Sequence, residues 1–163
     1  MGKKVCLIAG VGPGTGMECA SRFSRGGYQV AMLARDKERL NSLEAEIEDS
    51  HGYECDVSDL DQLVTTLKQV ANDLGDPTIL IHNAVAGNID GGGASRFMES
   101  DPARLERNFR VNTTSLLYMA RELAPAMIEA GEGAIIVTGN TSSTRGSANF
   151  AYFAPTKAAQ RIL

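Results

Sequence analysis

The sequence contains no tryptophan, three cysteines, two histidines and only 6% aromatic residues. Cys6, Cys19 and Cys55 stand far apart, in an odd number and without a Cys-x-x-Cys pair. That argues against a disulfide scaffold or a zinc site and makes the reducing cytoplasm the expected compartment. His51 and His82 have no metal-ligand spacing between them. No run approaches the roughly 18 consecutive apolar residues of a membrane span. The apolar stretch 5–9 stops at Gly10, so it reads as a buried strand and not as a signal peptide. Met1-Gly2 begins a myristoylation pattern that Cys6 leaves incomplete. A basic block is also missing. Lys plus Arg number 16 against 20 Asp plus Glu, a formal charge of −4, which makes the chain a poor candidate for a general nucleic-acid binder.

What is present is one domain's worth of chain, 163 residues with 43% hydrophobic and 22% charged, enough to bury a core. Short apolar runs alternate with helical patterns. Strands are expected at 5–9, 28–34, 51–55, 78–82 and 133–139. Helices are expected at 17–26, from an Asp36 cap to about 49, at 59–74, across 102–129 and from 154 onward. Pro125 is expected to kink or interrupt the 102–129 segment. Unalternated apolar strands between helices predict a parallel sheet covered on both faces. The loop 86–94, with Gly87, Gly91, Gly92 and Gly93, follows a strand end and is either a surface connection or a ligand-side loop. Leu163 falls inside a helical pattern without a stop signal, so the natural chain is expected to continue.

The richest local signal is Gly10-Val11-Gly12-Pro13-Gly14-Thr15-Gly16, between the first strand and the first helix. Glycines allow close approach of backbone to ligand, and a helix N-terminus offers N–H groups and a positive dipole end to phosphate. The G-x-G-x-x-G spacing is not met. The glycines stand as G-x-x-x-G-x-G, at Gly10, Gly14 and Gly16.

That spacing resembles the cofactor loop of the short-chain dehydrogenase/reductase family. Further matches follow in family order. Asp56-Val57 resembles the pair that meets the adenine ring. Asn83-Ala84 resembles the Asn-Ala of the Asn-Asn-Ala-Gly motif. Asn112, within Val111-Asn112-Thr113, resembles the Asn that holds a proton-relay water. Lys157 resembles the Lys of Tyr-x-x-x-Lys, which also hydrogen-bonds the nicotinamide ribose. The resemblance covers the whole chain and only the cofactor-binding part of the family fold. It implies a three-layer Rossmann-type doubly wound sheet, ordered 3-2-1-4-5 and truncated before the last strands, over a single domain, 1–163. It also implies a homodimer or homotetramer paired through the helices of Asn112 and Lys157. Leu116, Met119 and Leu123 fit such an interface or packing on the sheet equally well.

Ala34 and Arg35 end the second strand where an acidic residue would accept the ribose hydroxyls of NAD. A guanidinium there suits a 2′-phosphate, so NADP is expected over NAD. At the catalytic end the chain departs from the family. Phe153 stands where the Tyr belongs, and Tyr152 is adjacent but about 100° around a helix. The family Ser aligns either with Asn140 or, after a shortened loop, with Ser143 beside Ser142. The expected activity is hydride transfer between NADP(H) and a small carbonyl or alcohol substrate. The alternative is a catalytically weak or inactive dinucleotide-binding protein acting as a sensor or partner subunit.

Overall fold

The computed structural model describes residues 2–86, 98 and 101–163. Strand β1 (Val5–Ala9) is buried at every position. Val5, Leu7 and Ala9 join one apolar cluster, while Cys6 and Ile8 join another. Side chains of a strand point alternately to its two faces, so a strand covered on both sides carries no polar alternation. Helix α1 (Thr15–Arg25), β2 (Gln29–Ala34), α2 (Lys37–Glu46), β3 (Ser50–Glu54), α3 (Leu60–Leu74) and β4 (Pro77–His82) follow in turn. Then come α4 (Ala103–Phe109), a π turn (Arg110–Thr114), α5 (Ser115–Ala130), β5 (Ala134–Val137) and α6 (Ala154–Ile162). The strands form one parallel sheet ordered β3-β2-β1-β4-β5, as expected.

The two apolar clusters are the two interfaces of a three-layer sandwich. Ala20 of α1 and Leu40 and Leu43 of α2 cover one face. Leu63, Leu67 and Val70 of α3 and Leu116, Met119, Leu123 and Met127 of α5 cover the other. Leu116, Met119 and Leu123 therefore pack on the sheet. The Asp36 carboxylate accepts from the Arg39 N–H at 3.0 Å and caps α2. Asp59 accepts from the Gln62 N–H at 3.0 Å and caps α3. Helix α1 follows Gly14 and has no side-chain cap.

Two expectations along 102–139 need correction. Pro125 does not interrupt the helix. It lies on the exposed face of α5, so the Arg121 carbonyl it leaves without a donor is turned toward water. The interruption is the π turn at Arg110–Thr114, which buries Asn112. Strand β5 is shorter than the apolar run around it, and its side chains Ile135 and Ile136 are 40% and 44% exposed. Residues 87–94 of the expected glycine loop lie outside the described residues. Among the described residues no helix is long and apolar enough to cross a membrane.

Candidate active site

The strand order reverses between β1 and β4, and a cleft of about 1010 Å³ opens at the carboxyl ends of the strands there. Ligands bind at this switch point in doubly wound sheets, in pockets of about 300–1,000 Å³. The cleft gathers most of the residues singled out in the sequence. Gly10, Gly12, Pro13, Thr15, Gly16, Ala34, Arg35, Asp56, Val57, Asn83, Ala84, Asn140, Phe153 and Lys157 all line it.

The glycine loop is held from two sides. The N–H groups of Gly10 and Val11 donate to the Leu33 carbonyl at 2.9 and 3.1 Å. Asn83 Nδ2 donates to the Gly10 carbonyl at 2.8 Å. Gly10 has a φ of +88°, and a Cβ there would meet Ala84 Cα at 2.5 Å. A Cβ on Gly16 would meet the Gly10 carbonyl oxygen at 2.5 Å. Gly14 adopts a φ of +101° before α1. Gly12 is different. Its φ is not in the left-handed region, and a Cβ there would touch nothing within 4 Å. The fold alone does not demand glycine at position 12; a ligand lying against the backbone would.

The cleft is positive in a protein of formal charge −4. Arg35, Arg39, Arg107 and Lys157 line it against two carboxylates, Asp36 and Asp56. Asp36 is already engaged as the α2 cap and in an ion pair with Arg39 at 3.2 Å. Burial alone would raise the Asp56 carboxyl. Two hydrogen bonds from Ser58, at 2.9 and 2.7 Å, and the charges of Arg35 and Arg107 outweigh it and hold Asp56 below its ordinary value. Arg39 and Arg107 escaped the sequence reading. Arg39 is one helical turn beyond Arg35, a spacing that was there to be read. Arg107 comes from α4, distant in sequence.

At the far end Lys157 is 3% exposed, and its Nζ donates to the Thr138 carbonyl at 2.9 Å. Burial pushes its pKa down. Among the described residues it makes no ion pair with a carboxylate. Phe153 lines the cleft one helical turn before it. Tyr152 does not line it. The chain is in an irregular turn there, and the Tyr152 carbonyl accepts from Asn108 Nδ2 at 2.6 Å. Asn112 is wholly buried. Its Nδ2 donates to Ala86 O at 2.9 Å and to Thr156 Oγ1 at 2.8 Å, and its Oδ1 accepts from the Ala86 N–H. Its amide thus ties Ala86, just after β4, to α6. Asn140 Oδ1 accepts from the Ser142 N–H at 2.8 Å. Ser143 lines a second, apolar cavity of about 780 Å³, which shares Gly139, Asn140 and Lys157 with the cleft. Of the two alignments of the family Ser, Asn140 lines both the cleft and the neighbouring cavity, and Ser143 lines only the latter.

A parallel 3-2-1-4-5 sheet with a glycine turn at its switch point defines the Rossmann-type α/β class. Comparison with known proteins narrows this. The profile of the short chain dehydrogenase family matches residues 4–163, and the chain belongs to that family. It is 30% identical over 148 residues to epidermal retinol dehydrogenase 2 of Mus musculus, covering 88% of this chain and 46% of that protein. A metagenomic short-chain oxidoreductase solved in complex with NADP superposes with a TM-score of 0.89 at 25% identity, over 99% of this chain and 73% of that one. An NAD+-bound xylitol dehydrogenase superposes at 0.84 with 26% identity, over 97% of this chain and 61% of that one. The chain spans about half the length of the curated relatives it matches.

Proposed function

We propose that the protein is an NADP(H)-dependent oxidoreductase acting on a carbonyl or alcohol substrate, and that residues 1–163 are its single nucleotide-binding domain. The observation that carries this reading is Lys157, a buried cation that faces the cleft without a carboxylate partner among the described residues. A buried unpaired charge is costly unless a ligand compensates it. The open space at Gly12 and the uncapped start of α1 fit a pyrophosphate in the same cleft.

In this reading the glycine turn and the N-terminus of α1 receive the pyrophosphate, and Asn83 keeps that turn in place. Arg35, helped by Arg39, pairs with the 2′-phosphate, while Asp56 and Val57 border the adenine. Lys157 bonds the nicotinamide ribose. The nicotinamide supplies or accepts the hydride when bound. Asn140, which lines both cavities, or Ser143, which lines the second, orients the substrate oxygen. Phe153 cannot move a proton. Water beside Lys157 is favoured as the source over Tyr152, because Lys157 lines the cleft and Tyr152 does not. The second reading, a weak or inactive dinucleotide binder, is favoured by Phe153 itself, since loss of a general acid costs about 10²–10⁴-fold in rate.

The test is a fluorescence titration of the full-length protein with NADPH and NADH, followed by a screen of carbonyl substrates with Tyr152→Phe as control. NADPH is expected to bind at least about tenfold more tightly, the equivalent of about 1.4 kcal/mol. Failure of the folded protein to bind either dinucleotide would falsify the reading. Tight binding with no turnover selects the inactive alternative. Placement of the protein in the cytoplasm and its assembly into a homodimer or homotetramer are part of the same proposal, and fractionation and light scattering test them.

A further inference from the structure

A buried polar triad lies behind the cleft. His82 ends β4 and is 0% exposed, Ser115 opens α5 at 0%, and Gln160 lies in α6 at 5%. The hydrogen atoms can be assigned from the contacts. The Ser115 hydroxyl donates its one hydrogen to the Val111 carbonyl at 2.7 Å. With that hydroxyl turned to Val111, the Ser115 oxygen, 2.8 Å from His82 Nε2, accepts from the ring. In this arrangement the ring proton is on Nε2, and Nδ1 is an acceptor. Gln160 Nε2 lies 3.2 Å from Nδ1 and donates to it.

The backbone of His82 completes the arrangement. Its carbonyl accepts from the Thr138 N–H at 3.1 Å and from Thr138 Oγ1 at 3.3 Å. The carbonyl of Thr138 in turn accepts from Lys157 Nζ. Lys157 and Gln160 are three residues apart, neighbours on one face of α6. His82 thus holds the helix that carries Lys157 through its ring, and the carbonyl that receives Lys157 through its backbone. Helix α6 has no side-chain cap at its start. Its front end is tied by Asn112 to Thr156 and its rear by Gln160 to His82.

We propose that His82, Ser115 and Gln160 form a brace that positions Lys157 in the cleft, a role that rests on the cofactor reading above. The triad is a positioning device: none of its members lines the cleft, and only Gln160 reaches the neighbouring cavity. An apolar side chain at 160 would fill the same space and leave Nδ1 without a partner. A fully satisfied buried network rigidifies what it joins.

The test compares Gln160→Met, which keeps volume and removes the donor, with the full-length parent. ADP reports the adenine end of the cleft, and NADPH reports both ends. Gln160→Met is expected to weaken NADPH about three- to tenfold while leaving ADP unchanged. In a Lys157→Met background it is expected to cost nothing more, because the brace acts through Lys157. Equal losses for ADP and NADPH, no loss at all, or an additive loss in the Lys157→Met background overturns the proposal. Should Gln160→Met not fold, Ser115→Ala removes the other partner of the ring with a smaller change and is held to the same criteria. Acetylation of Lys157 by acetic anhydride, followed by peptide mass spectrometry, tests the brace without any nucleotide. It is expected to be faster in Gln160→Met, and an unchanged rate refutes the brace. If the parent protein fails to bind NADPH, the cofactor reading falls, and the acetylation rate still decides the brace.

Discussion

Replacing Gly12 by alanine separates the demands of the fold from those of a ligand. A Cβ at this position meets nothing within 4 Å, and the backbone is outside the left-handed region. The following Pro13 already confines Gly12 to extended conformations, which alanine adopts freely. Alanine should therefore stabilise the free protein by about 0.4–1 kcal/mol through lost freedom in the unfolded chain. For a domain of this length that raises Tm by about 1–4 °C. Gly10→Ala is the contrasting case. Its φ of +88° strains an L-residue, and its Cβ would lie 2.5 Å from Ala84 Cα and N, both backbone atoms that cannot swing aside. Strain of about 1–3 kcal/mol and overpacking of similar size put the cost at about 2–6 kcal/mol. The decisive assay is calorimetric titration of NADPH into Gly12→Ala. If a pyrophosphate lies against this backbone, the added methyl intrudes on it, at a cost of about 1–3 kcal/mol, or roughly 5- to 150-fold in Kd. A Gly12→Ala protein that is as stable as the parent and binds NADPH equally well would show that the glycine turn is not a phosphate cradle.

Four other outcomes are expected. Arg35→Ala should weaken NADPH about five- to tenfold, an exposed guanidinium giving up part of the about 1.5–3 kcal/mol of a charged hydrogen bond to screening, and leave NADH nearly unchanged; equal losses for both nucleotides sink the assignment. Phe153→Tyr places a phenol one turn before Lys157 and should raise kcat about 10²–10⁴-fold on a carbonyl substrate if a missing proton donor is what limits turnover; an unchanged kcat locates the acid elsewhere. Pro125→Ala restores an N–H on the exposed face of α5 and should add about 1–3 kcal/mol in urea denaturation, whereas destabilisation would mean that the proline is needed. The His82 pKa is pushed down to about 4 by burial and, second, by the charge of Lys157. Between about pH 6.5 and 4 the unfolded chain binds a proton that the folded chain refuses, so stability falls with pH there by up to about 3 kcal/mol. His82→Gln should flatten that limb of the denaturation profile, and a profile identical to the parent's refutes the shift.

The parts of the site that were legible in the sequence are those whose cause is local. The turn 10–16 announces itself because several glycines crowd between a strand and a helix. Gly10 and Gly16 prove to be there because the chain passes within van der Waals distance of itself. Arg35 could be read because it directly follows a strand end, and Asp36 because a cap is defined by its own next three residues. The helix 102–129 misled for the same reason. Proline is a strong local signal, but its effect depends on which face it occupies, and the exposed face of α5 tolerates it. The π turn at Arg110–Thr114 leaves the apolar spacing around it almost unchanged, so periodicity gives no sign of it.

What the sequence could not display is any property made by three distant residues at once. Lys157 was found through the short pattern around it, and nothing in that pattern says what holds it. The answer involves positions 82, 115, 138 and 160, on β4, at the start of α5, just past β5 and on α6. Read singly, His82 is an ordinary histidine at a strand end, Ser115 a small polar residue and Gln160 a helix-former. Each would be scored as surface by composition, yet all three are buried. Polar groups are buried at a cost that only mutual hydrogen bonding offsets, so each of the three explains why the others are tolerated. The same reasoning makes the site testable by halves. Changes in the turn 10–16 should move the binding of ADP and NADPH together, because both carry the pyrophosphate. Changes behind Lys157 should move NADPH alone. A protein in which Gly12→Ala and Gln160→Met gave the same ratio of ADP to NADPH affinities would have a cleft organised differently from the one described.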